Sequence, residues 1–296
     1  MANVVPLIDL SDFPAESERL REACEGIGCF RIVNHGVPAE LIAEMKSVAR
    51  ELLDLPTEVK QRNKDVIPGS GYMAPSAANP FYEALGLYDV GNVHSVEEFC
   101  SQLGVSKHQR ETFERYAEAI HKVTVDIAKK LARSYGLKEE EFEGWNCQFR
   151  INKYNFTQDT VGSPGVQIHT DSGFLTVLQD DENVGGLEVM DRSGSFVTVD
   201  PFPGTFAVNL GDIGNVWSNG RLRNVQHRVM CKEATLRFSI ATFMAPPKDM
   251  VLEAPAVFVD AQHPRLYSAI TYEEFRKIRA SKEMHAGEAL SMVLKI

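Results

Sequence analysis

The spacing of hydrophobic residues changes near the middle of the chain. In the first half, apolar positions recur every three or four residues over several stretches, which is the pattern of amphipathic helices. Beyond about residue 147, short apolar and β-branched runs are separated by turn residues, which is typical of a β-sandwich or barrel. The sequence therefore predicts helices around a β core, with one hydrophobic core shared by both halves.

Helical periodicity is clearest in four stretches. Prolines frame the second of them at both ends, and the pattern Ser-Val-Glu-Glu at residues 95–98 predicts a further helix start with Ser95 as its cap. Residues 65–82 are rich in Gly, Pro, Ser and Asn, so they are predicted to form an irregular loop. The four predicted helices cover residues 15–28, 38–56, 106–136 and 272–281.

Ten stretches have the composition of β-strands. Two of them flank the first predicted helix, and the other eight follow one another in the second half at the short spacing of an all-β core. These segments carry the polar residues that are candidates for chemistry. The predicted strands cover residues 4–10, 29–37, 148–156, 166–170, 174–179, 186–190, 195–199, 205–210, 225–231 and 236–244.

Composition narrows the classes of partner. The chain has 296 residues, of which 44% are hydrophobic and 24% are charged, as in ordinary globular proteins. Its formal net charge is −10, from 31 Lys and Arg against 41 Asp and Glu. An acidic chain without a long basic run is a poor nucleic-acid binder, because phosphate contacts need clustered cations. We therefore expect a small-molecule partner and no nucleic acid; the sequence does not define the oligomeric state.

The chain also lacks the signals of membranes and of oxidising compartments. No apolar run approaches about 18 residues, so no transmembrane helix or membrane partner is expected. The first residues have neither the cationic start nor the apolar core of a signal peptide. The five cysteines are widely spread, odd in number and without a Cys-x-x-Cys pair, which favours free thiols in a reducing compartment. A cytoplasmic location is expected.

A histidine and an aspartate two positions apart are the first candidates for chemistry. If the strand at 166–170 continues through Asp171, the side chains of His169 and Asp171 face the same way. Alone, such a pair is more often a polar surface pair. A third ligand is offered by His227, in a distant strand-like stretch. Two histidines and a carboxylate form the facial triad that binds Fe(II) and leaves positions open for other ligands.

Other metals and other histidines fit less well. Zinc is the rival ion, but the chain has no His-Glu-x-x-His helix and no cysteine ligand pair. It also lacks the Gly-x-Ser-x-Gly motif that a hydrolase of that type would need. The remaining histidines lie in helix, turn, loop or tail contexts and are not expected to bind the metal: His35, His94, His108, His121, His263 and His285.

An arginine follows His227 by ten residues in another strand-like stretch. Arg237 and Ser239 would share one face, and an arginine pointing into a β core is costly unless a counter-charge is present. A dicarboxylate ligand would supply it through two parallel hydrogen bonds. Asn152 and Tyr154, again two apart, could assist. In the alternative, Arg237 faces solvent and the buried face is Leu236, Phe238, Ile240 and Met244.

The order and spacing of these motifs resemble the plant Fe(II)- and 2-oxoglutarate-dependent dioxygenases, and the resemblance covers nearly the whole chain. It rests on Asn-x-Tyr at 152–154, His-x-Asp at 169–171, His227, Arg-x-Ser at 237–239 and the longer stretches 28–37 and 209–229. It implies an α+β, mainly β fold, in which a helix-rich N-terminal region and a C-terminal helix accompany a distorted double-stranded β-helix, or jelly roll.

The resemblance also implies roles for individual residues and a division of the chain. The iron ligands would be His169, Asp171 and His227. The distal carboxylate of 2-oxoglutarate would be held by Arg237 and Ser239, with Tyr154 and Asn152 assisting, and ascorbate would help in vitro. The implied regions are 1–140 (helix-rich), 145–250 (the jelly-roll core binding iron and 2-oxoglutarate) and 251–296 (an extension with a helix on the core).

Residues 65–90 and 165–191 are most similar to the auxin-oxidising branch of the family. This similarity implies an enzyme that uses O2 to oxidise indole-3-acetic acid, or an amino-acid conjugate of it, to the 2-oxindole form while 2-oxoglutarate becomes succinate and CO2. One alternative is a hydroxylase or demethylase of another specialised metabolite, such as a glucosinolate, alkaloid, phenolic or terpenoid. Another is a catalytically silent regulator that binds metal or 2-oxoglutarate.

An aromatic substrate needs apolar walls, and its acid group needs a cation. We expect the walls from Phe243, Phe174, Tyr72, Phe81 and Tyr82. Arg150 is a candidate for the acid, and looser candidates are Arg62, Arg221 and Arg223. The family's frequent Pro-Pro-Cys after Asn-x-Tyr is absent here, where Asn155 and Phe156 follow instead, and this marks an unusual substrate pocket.

Overall fold

The computed structural model describes residues 5–281 and 284–295, in seven α-helices and thirteen strands. The helices are α1 (Ser17–Glu25), α2 (Ala39–Leu53), α3 (Thr57–Lys60), α4 (Val93–Leu103), α5 (Lys107–Ser134), α6 (Asp212–Trp217) and α7 (Tyr272–Ser281). The strands are β1 (Leu7–Asp9), β2 (Cys29–Val33), β3 (Tyr82–Leu87), β4 (Asn146–Asn155), β5 (Pro164–His169), β6 (Leu175–Gln179), β7 (Leu187–Met190), β8 (Phe196–Thr198), β9 (Phe206–Leu210), β10 (His227–Met230), β11 (Leu236–Ala245), β12 (Val251–Leu252) and β13 (Ile270–Thr271).

Two sheets form the core of the fold. The large sheet has the strand order β1-β2-β9-β6-β11-β4-β3, and the small sheet has the order β5-β10-β7-β8. All neighbours within them are antiparallel except β1 and β2. A third sheet contains only β12 and β13. Strands far apart in sequence, such as β4 and β11, therefore lie side by side.

The helices cover one face of the large sheet. On α2 and α5, Met45, Ile120 and Ile127 are buried in one cluster with Phe149 and Ile151 of β4. Burial of each such side chain contributes about 1.5–3 kcal/mol to folding. α5 begins with a capping box between Ser106 and Gln109 at the predicted position. The helices thus pack on one face of the large sheet, and the polar residues predicted to form the site lie on its other face.

Alternation along β11 separates the two faces. Ile240 and Met244 belong to the helix-side core, whereas Arg237, Ser239 and Phe243 line a cavity on the other side. The alternative in which Arg237 faces solvent is therefore wrong, because its side chain is only 1% exposed.

Several local expectations need correction. α4 begins at Val93, and its cap is Asn92, whose side chain accepts a hydrogen bond from the Ser95 amide; the cap predicted at Ser95 is wrong because Ser95 already lies in the helix. Tyr82, expected in a loop, begins β3, which pairs along β4. β1 is shorter than predicted, and residue 4 of that stretch lies outside the described residues. The short helix α6 was not predicted.

No helix in the described part of the chain is both long and apolar enough to cross a membrane. The five cysteines are all buried, and none of them forms a disulfide.

Candidate active site

Two histidines lie opposite each other on neighbouring strands of the small sheet. β10 pairs with β5 so that His227 faces His169, and the two ring centres are 4.2 Å apart. Oδ1 of Asp171 lies 3.6 Å from Nε2 of His169 and 3.7 Å from Nε2 of His227. Potential ligand atoms of the three side chains all lie within 4.8 Å of one another. One metal ion could therefore contact all three.

Asp171 reaches this cluster from a turn. β5 ends at His169, so the expected continuation of the strand through Asp171 is not found. The turn nevertheless aims the carboxylate at the histidines, because its other oxygen is held. Oδ2 accepts hydrogen bonds from the Thr176 hydroxyl at 2.5 Å and from the Asn209 amide at 2.8 Å. Oδ1 is left facing the two rings.

Backbone carbonyls orient the two imidazoles. Nδ1 of His169 lies 2.9 Å from the carbonyl oxygen of Gln167, and Nδ1 of His227 lies 3.1 Å from that of Val225. A carbonyl only accepts, so Nδ1 of each ring carries the proton and donates it. In a neutral ring held this way, Nε2 has the lone pair that a metal needs.

The electrostatics keep this donor set ready for a cation. Burial and the neighbouring His227 lower the pKa of His169 to about 4, so its ring is neutral near pH 7. For Asp171, burial acts to raise the pKa, but His227, His169 and the two hydrogen bonds outweigh it and hold the pKa below the usual value. A neutral imidazole and an ionised carboxylate are the forms that bind metal.

The cavity beside this cluster ends at a buried arginine. Nε and Nη1 of Arg237 lack any hydrogen-bond partner, although the charge of the guanidinium also acts on the carboxylate of Asp180, which is paired with Arg31. Its Cζ lies 4.9 Å from the centre of the Tyr154 ring. Burial raises the pKa of Tyr154 to about 12, so the hydroxyl remains a donor near pH 7. A buried cation with unpaired donors fits an anionic ligand, since leaving such groups unpaired is costly.

A short hydrogen-bond chain lies beside Arg237. The Tyr82 hydroxyl donates to Oδ1 of Asn152 at 2.7 Å, and the Asn152 amide donates to the Ser239 hydroxyl at 3.2 Å. All three side chains line the cavity. The serine hydroxyl is thus held in place and can still donate its own hydrogen to a ligand.

The cavity has a volume of about 560 Å³, within the range typical of small-molecule sites. It contains most of the side chains singled out in the sequence. Those that line it are His169, Asp171, His227, Asn152, Tyr154, Arg237, Ser239, Phe243, Tyr82 and Arg150. The polar residues that the sequence places two positions apart therefore line a single cavity.

Three of the expected aromatic walls lie elsewhere. Phe174 is fully buried on the helix side, where it contacts Phe142, Trp145 and Trp217. Tyr72 donates to Glu83 and packs against the helix-side core, and Phe81 packs at the edge of a separate cluster. The prediction of Phe174 as a wall rested on its position three residues after the metal pair, and it is wrong because the turn before β6 carries the side chain into the helix-side core.

The C-terminal segment, residues 284–295, contacts the chain next to the cluster. The Thr170 amide donates to the His285 carbonyl at 2.8 Å, and the Gln226 side chain donates to the Ala286 carbonyl at 2.6 Å. Arg279 of α7 donates to the Thr170 carbonyl at 2.8 Å. Thr170 lies between His169 and Asp171, and Gln226 precedes His227, so these bonds restrain the backbone on both sides of the cluster.

Arg279 and His285 were not expected at the site, yet both line the cavity. Arg279 also forms an ion pair with Asp212, which is fully buried and whose amide donates to the Asp171 carbonyl at 2.8 Å. The sequence signal for Arg279 was weak, because a charged residue on an amphipathic helix is ordinarily solvated. His285 was set aside only as a metal ligand, and it is not part of the histidine and aspartate cluster; its place in the cavity wall was not predicted.

Comparison with known proteins identifies the family. Residues 145–246 match the 2OG-Fe(II) oxygenase superfamily, and residues 5–79 match the N-terminal region described as non-haem dioxygenase in morphine synthesis. The first of these ranges contains the histidine and aspartate cluster, Arg237 and Ser239.

Similar proteins extend this match over nearly the full chain. The "2-oxoglutarate-dependent dioxygenase DAO" of rice (Oryza sativa) is 54% identical over 293 residues, 97% of this chain and 98% of the rice protein. The crystal structure of the dioxygenase for auxin oxidation in rice superposes with a TM-score of 0.91 at 53% identity, covering 98% of this chain and all of that one.

A cosubstrate complex is also similar. The dioxygenase for auxin oxidation 1 of Arabidopsis thaliana, in its binary complex with 2-oxoglutarate, superposes with a TM-score of 0.86 at 57% identity over 88% of this chain and all of that one. The two histidines with the ionised carboxylate of Asp171 suit iron. The buried Arg237, with two nitrogens that lack hydrogen-bond partners, suits a dicarboxylate. The chain belongs to the 2OG-Fe(II) oxygenases: it is a dioxygenase that uses Fe(II) and 2-oxoglutarate.

Proposed function

We propose that this dioxygenase oxidises indole-3-acetic acid, or an amino-acid conjugate of it, on the indole ring to the 2-oxindole form, with O2 as the oxidant. The observation that carries the proposal is the 54% identity, over nearly the full length of both chains, to a rice enzyme of the auxin-oxidising class. The cavity supports it, because Phe243 and Tyr82 offer aromatic surface to a flat ring.

In this proposal the metal is held by Nε2 of His169, Nε2 of His227 and Oδ1 of Asp171. When bound, the iron with 2-oxoglutarate activates O2 as the cosubstrate is decarboxylated to succinate and CO2. The chain contributes the orientation of its ligands: carbonyls hold both rings in the tautomer with a free Nε2, while Thr176 and Asn209 hold the other carboxylate oxygen.

The proposed binding site for the distal carboxylate of 2-oxoglutarate is formed by Arg237 and Ser239. The arginine would donate through the nitrogens that lack partners, and the serine through its hydroxyl. Tyr154 lies against the guanidinium and is protonated near pH 7, and Asn152 holds the serine oxygen. Because the arginine is almost fully buried, the charge-assisted bonds form without competition from water.

Three broader features belong to the same proposal. The two facing sheets are interpreted as the distorted double-stranded β-helix, and the chain divides into regions 1–140, 145–250 and 251–296. The five buried, unpaired cysteines favour a reducing compartment such as the cytoplasm.

The decisive experiment incubates the purified protein with Fe(II), ascorbate, 2-oxoglutarate and either indole-3-acetic acid or its aspartate conjugate. We expect a product heavier by one oxygen atom and one succinate for each substrate consumed. The matched control is His169→Ala under the same conditions. If neither indole compound is consumed while an unrelated phenolic, alkaloid or terpenoid is, the substrate assignment is wrong and the dioxygenase class alone remains.

A further inference from the structure

Three arginines line the cavity, and they differ in what neutralises them. Arg279 is paired with the buried carboxylate of Asp212. Arg237 lies at the end proposed for 2-oxoglutarate. Arg150 has no carboxylate within 4.0 Å among the described residues; its guanidinium instead donates to the carbonyl of Gly69 and contacts the sulfur of Met73. Arg150 is therefore the cavity arginine left without a negative partner or an assigned ligand.

The position of Arg150 on the sheet places it between the two functional ends. Its strand neighbours are Ala241 on β11 and Gly86 on β3, both too small to cover it. Along β11, Ala241 lies between Ser239, at the proposed cosubstrate end, and Phe243. Phe243 pairs with Thr176, the residue that holds Asp171. A ligand lying against Phe243 near the metal could thus extend an acid group to Arg150.

The present contacts of Arg150 are ones that an anion would replace favourably. A carboxylate adds the attraction between opposite charges and can accept two parallel hydrogen bonds from the guanidinium, neither of which a single neutral carbonyl supplies. The Gly69 carbonyl would not be left without a donor, because the Gln148 amide already donates to it at 3.3 Å. The exchange therefore leaves no buried acceptor unpaired.

The other arginines considered from the sequence are used or placed elsewhere. Arg223 donates to the carbonyls of Met190 and Asp191 at 2.8 and 2.7 Å. Arg221 lies over the Phe258 ring, and Arg62 is exposed to solvent. None of the three lines the cavity.

We infer that Arg150 binds the carboxylate of the organic substrate, and that this contact selects small aromatic carboxylic acids over their neutral analogues. The inference rests on the proposed function and names the residue that recognises the acid. Arg150 is a specificity residue here: it takes no part in binding iron or 2-oxoglutarate.

The experiment compares indole-3-acetic acid with indole-3-acetamide in the wild type, Arg150→Gln, Arg150→Lys and the exposed control Arg62→Gln. Initial rates of succinate release give KM for each substrate and, separately, for 2-oxoglutarate. For Arg150→Gln we expect KM for the acid to rise about 10- to 100-fold, the scale of a charged hydrogen bond. KM for the amide and for 2-oxoglutarate should stay within about 2-fold, and Arg150→Lys should recover part of the preference for the acid.

Equal losses for the acid and the amide would overturn the inference, and so would an unchanged KM for the acid. The unchanged KM for 2-oxoglutarate reports that the variant is folded. If the wild type oxidises neither indole compound, the proposed function fails, and the same variants are tested with other aromatic acids and their amides that stimulate succinate release. Loss of acid preference in Arg150→Gln would then support the inference, and retention would refute it.

Discussion

The two arginines proposed to bind carboxylates, Arg237 and Arg150, are held in different ways. Arg237 is almost fully buried and keeps two nitrogens without hydrogen-bond partners, whereas Arg150 is partly exposed and rests on a loop carbonyl and a thioether. Burying Arg237 with unpaired donors destabilises the empty protein, and a bound carboxylate would remove that destabilisation. Arg150 has contacts that satisfy it when no ligand is present, so the empty site is little destabilised. A cosubstrate used in every turnover suits the first site, and a discriminating contact with a variable substrate suits the second.

Arg237 and Arg150 can have these two roles only if both serve one metal centre. The largest expected effect, loss of activity on removal of a metal ligand, tests this. His169→Ala should reduce turnover to background with every substrate, because one of three metal ligands is lost. The fold should persist, since the sheets pack through cores that exclude His169. Metal content, circular dichroism and succinate release are the measurements. A variant that retains its activity would contradict the assignment of the ligand.

At the buried end, Arg237→Lys keeps the charge but loses the two-pronged geometry. We expect KM for 2-oxoglutarate to rise about 10-fold or more, on the scale of about 1.5–3 kcal/mol for a charged hydrogen bond. KM for the organic substrate should change little, the reverse of the result expected for Arg150→Gln. If either variant raises KM for both 2-oxoglutarate and the organic substrate, the two carboxylate sites are not independent.

Loss of a contact with the C-terminal segment should weaken metal affinity more than it weakens ligand binding at Arg237 or Arg150. Gln226→Ala removes the hydrogen bond to Ala286 without leaving a buried charge. We expect an approximately 10-fold weaker affinity for Mn(II), because supports behind a ligand typically contribute 10- to 100-fold. KM for 2-oxoglutarate at saturating metal should stay unchanged. Equilibrium titration with Mn(II), alongside thermal unfolding without metal, separates loss of affinity from loss of fold. An unaltered affinity would show that the hydrogen bond from Gln226 to Ala286 does not support the metal site.

The smallest predicted effect is the change in stability of the unliganded variants, and the response to ligand then distinguishes the two arginines directly. Without ligand, Arg237→Met should leave the free energy of unfolding unchanged or raise it, because it removes a buried cation whose Nε and Nη1 lack hydrogen-bond partners. Arg150→Gln should stay within about 0.5 kcal/mol of the wild type. Adding 2-oxoglutarate at 100 times its Kd should stabilise the wild type and Arg150→Gln by about 2.7 kcal/mol, and Arg237→Met by much less. Urea unfolding in both conditions measures this.

Five of the site residues that the sequence predicted share one property. His169, Arg237, Ser239, Asn152 and Tyr154 lie on strands, where alternation alone decides which way a side chain faces. The spacing of two residues could therefore be interpreted without knowing the partner strands. The helices α2, α5 and α7 were similarly accessible, because their apolar periodicity and end signals are local.

What the sequence did not predict depends on neighbours that only the fold creates. Thr176 and Asn209 meet Asp171 because β6 and β9 are adjacent, and nothing local in their sequence specifies that strand order. Phe174 follows Asp171 closely, but the intervening turn carries it into the helix-side core. Arg279 reaches the site only through the docking of α7, whose charged side chains are otherwise solvated.

The bonds of His285 and Ala286 also have a consequence for the order of events during translation. These residues leave the ribosome after the whole β core, yet they restrain Thr170 and Gln226, the neighbours of all three proposed iron ligands. A nascent chain translated only through α7 therefore has all three proposed iron ligands but lacks the hydrogen bonds from Thr170 and Gln226 to the C-terminal segment. Full affinity for the metal would be acquired only after His285 and Ala286 have emerged and have formed these hydrogen bonds to the closed sheets.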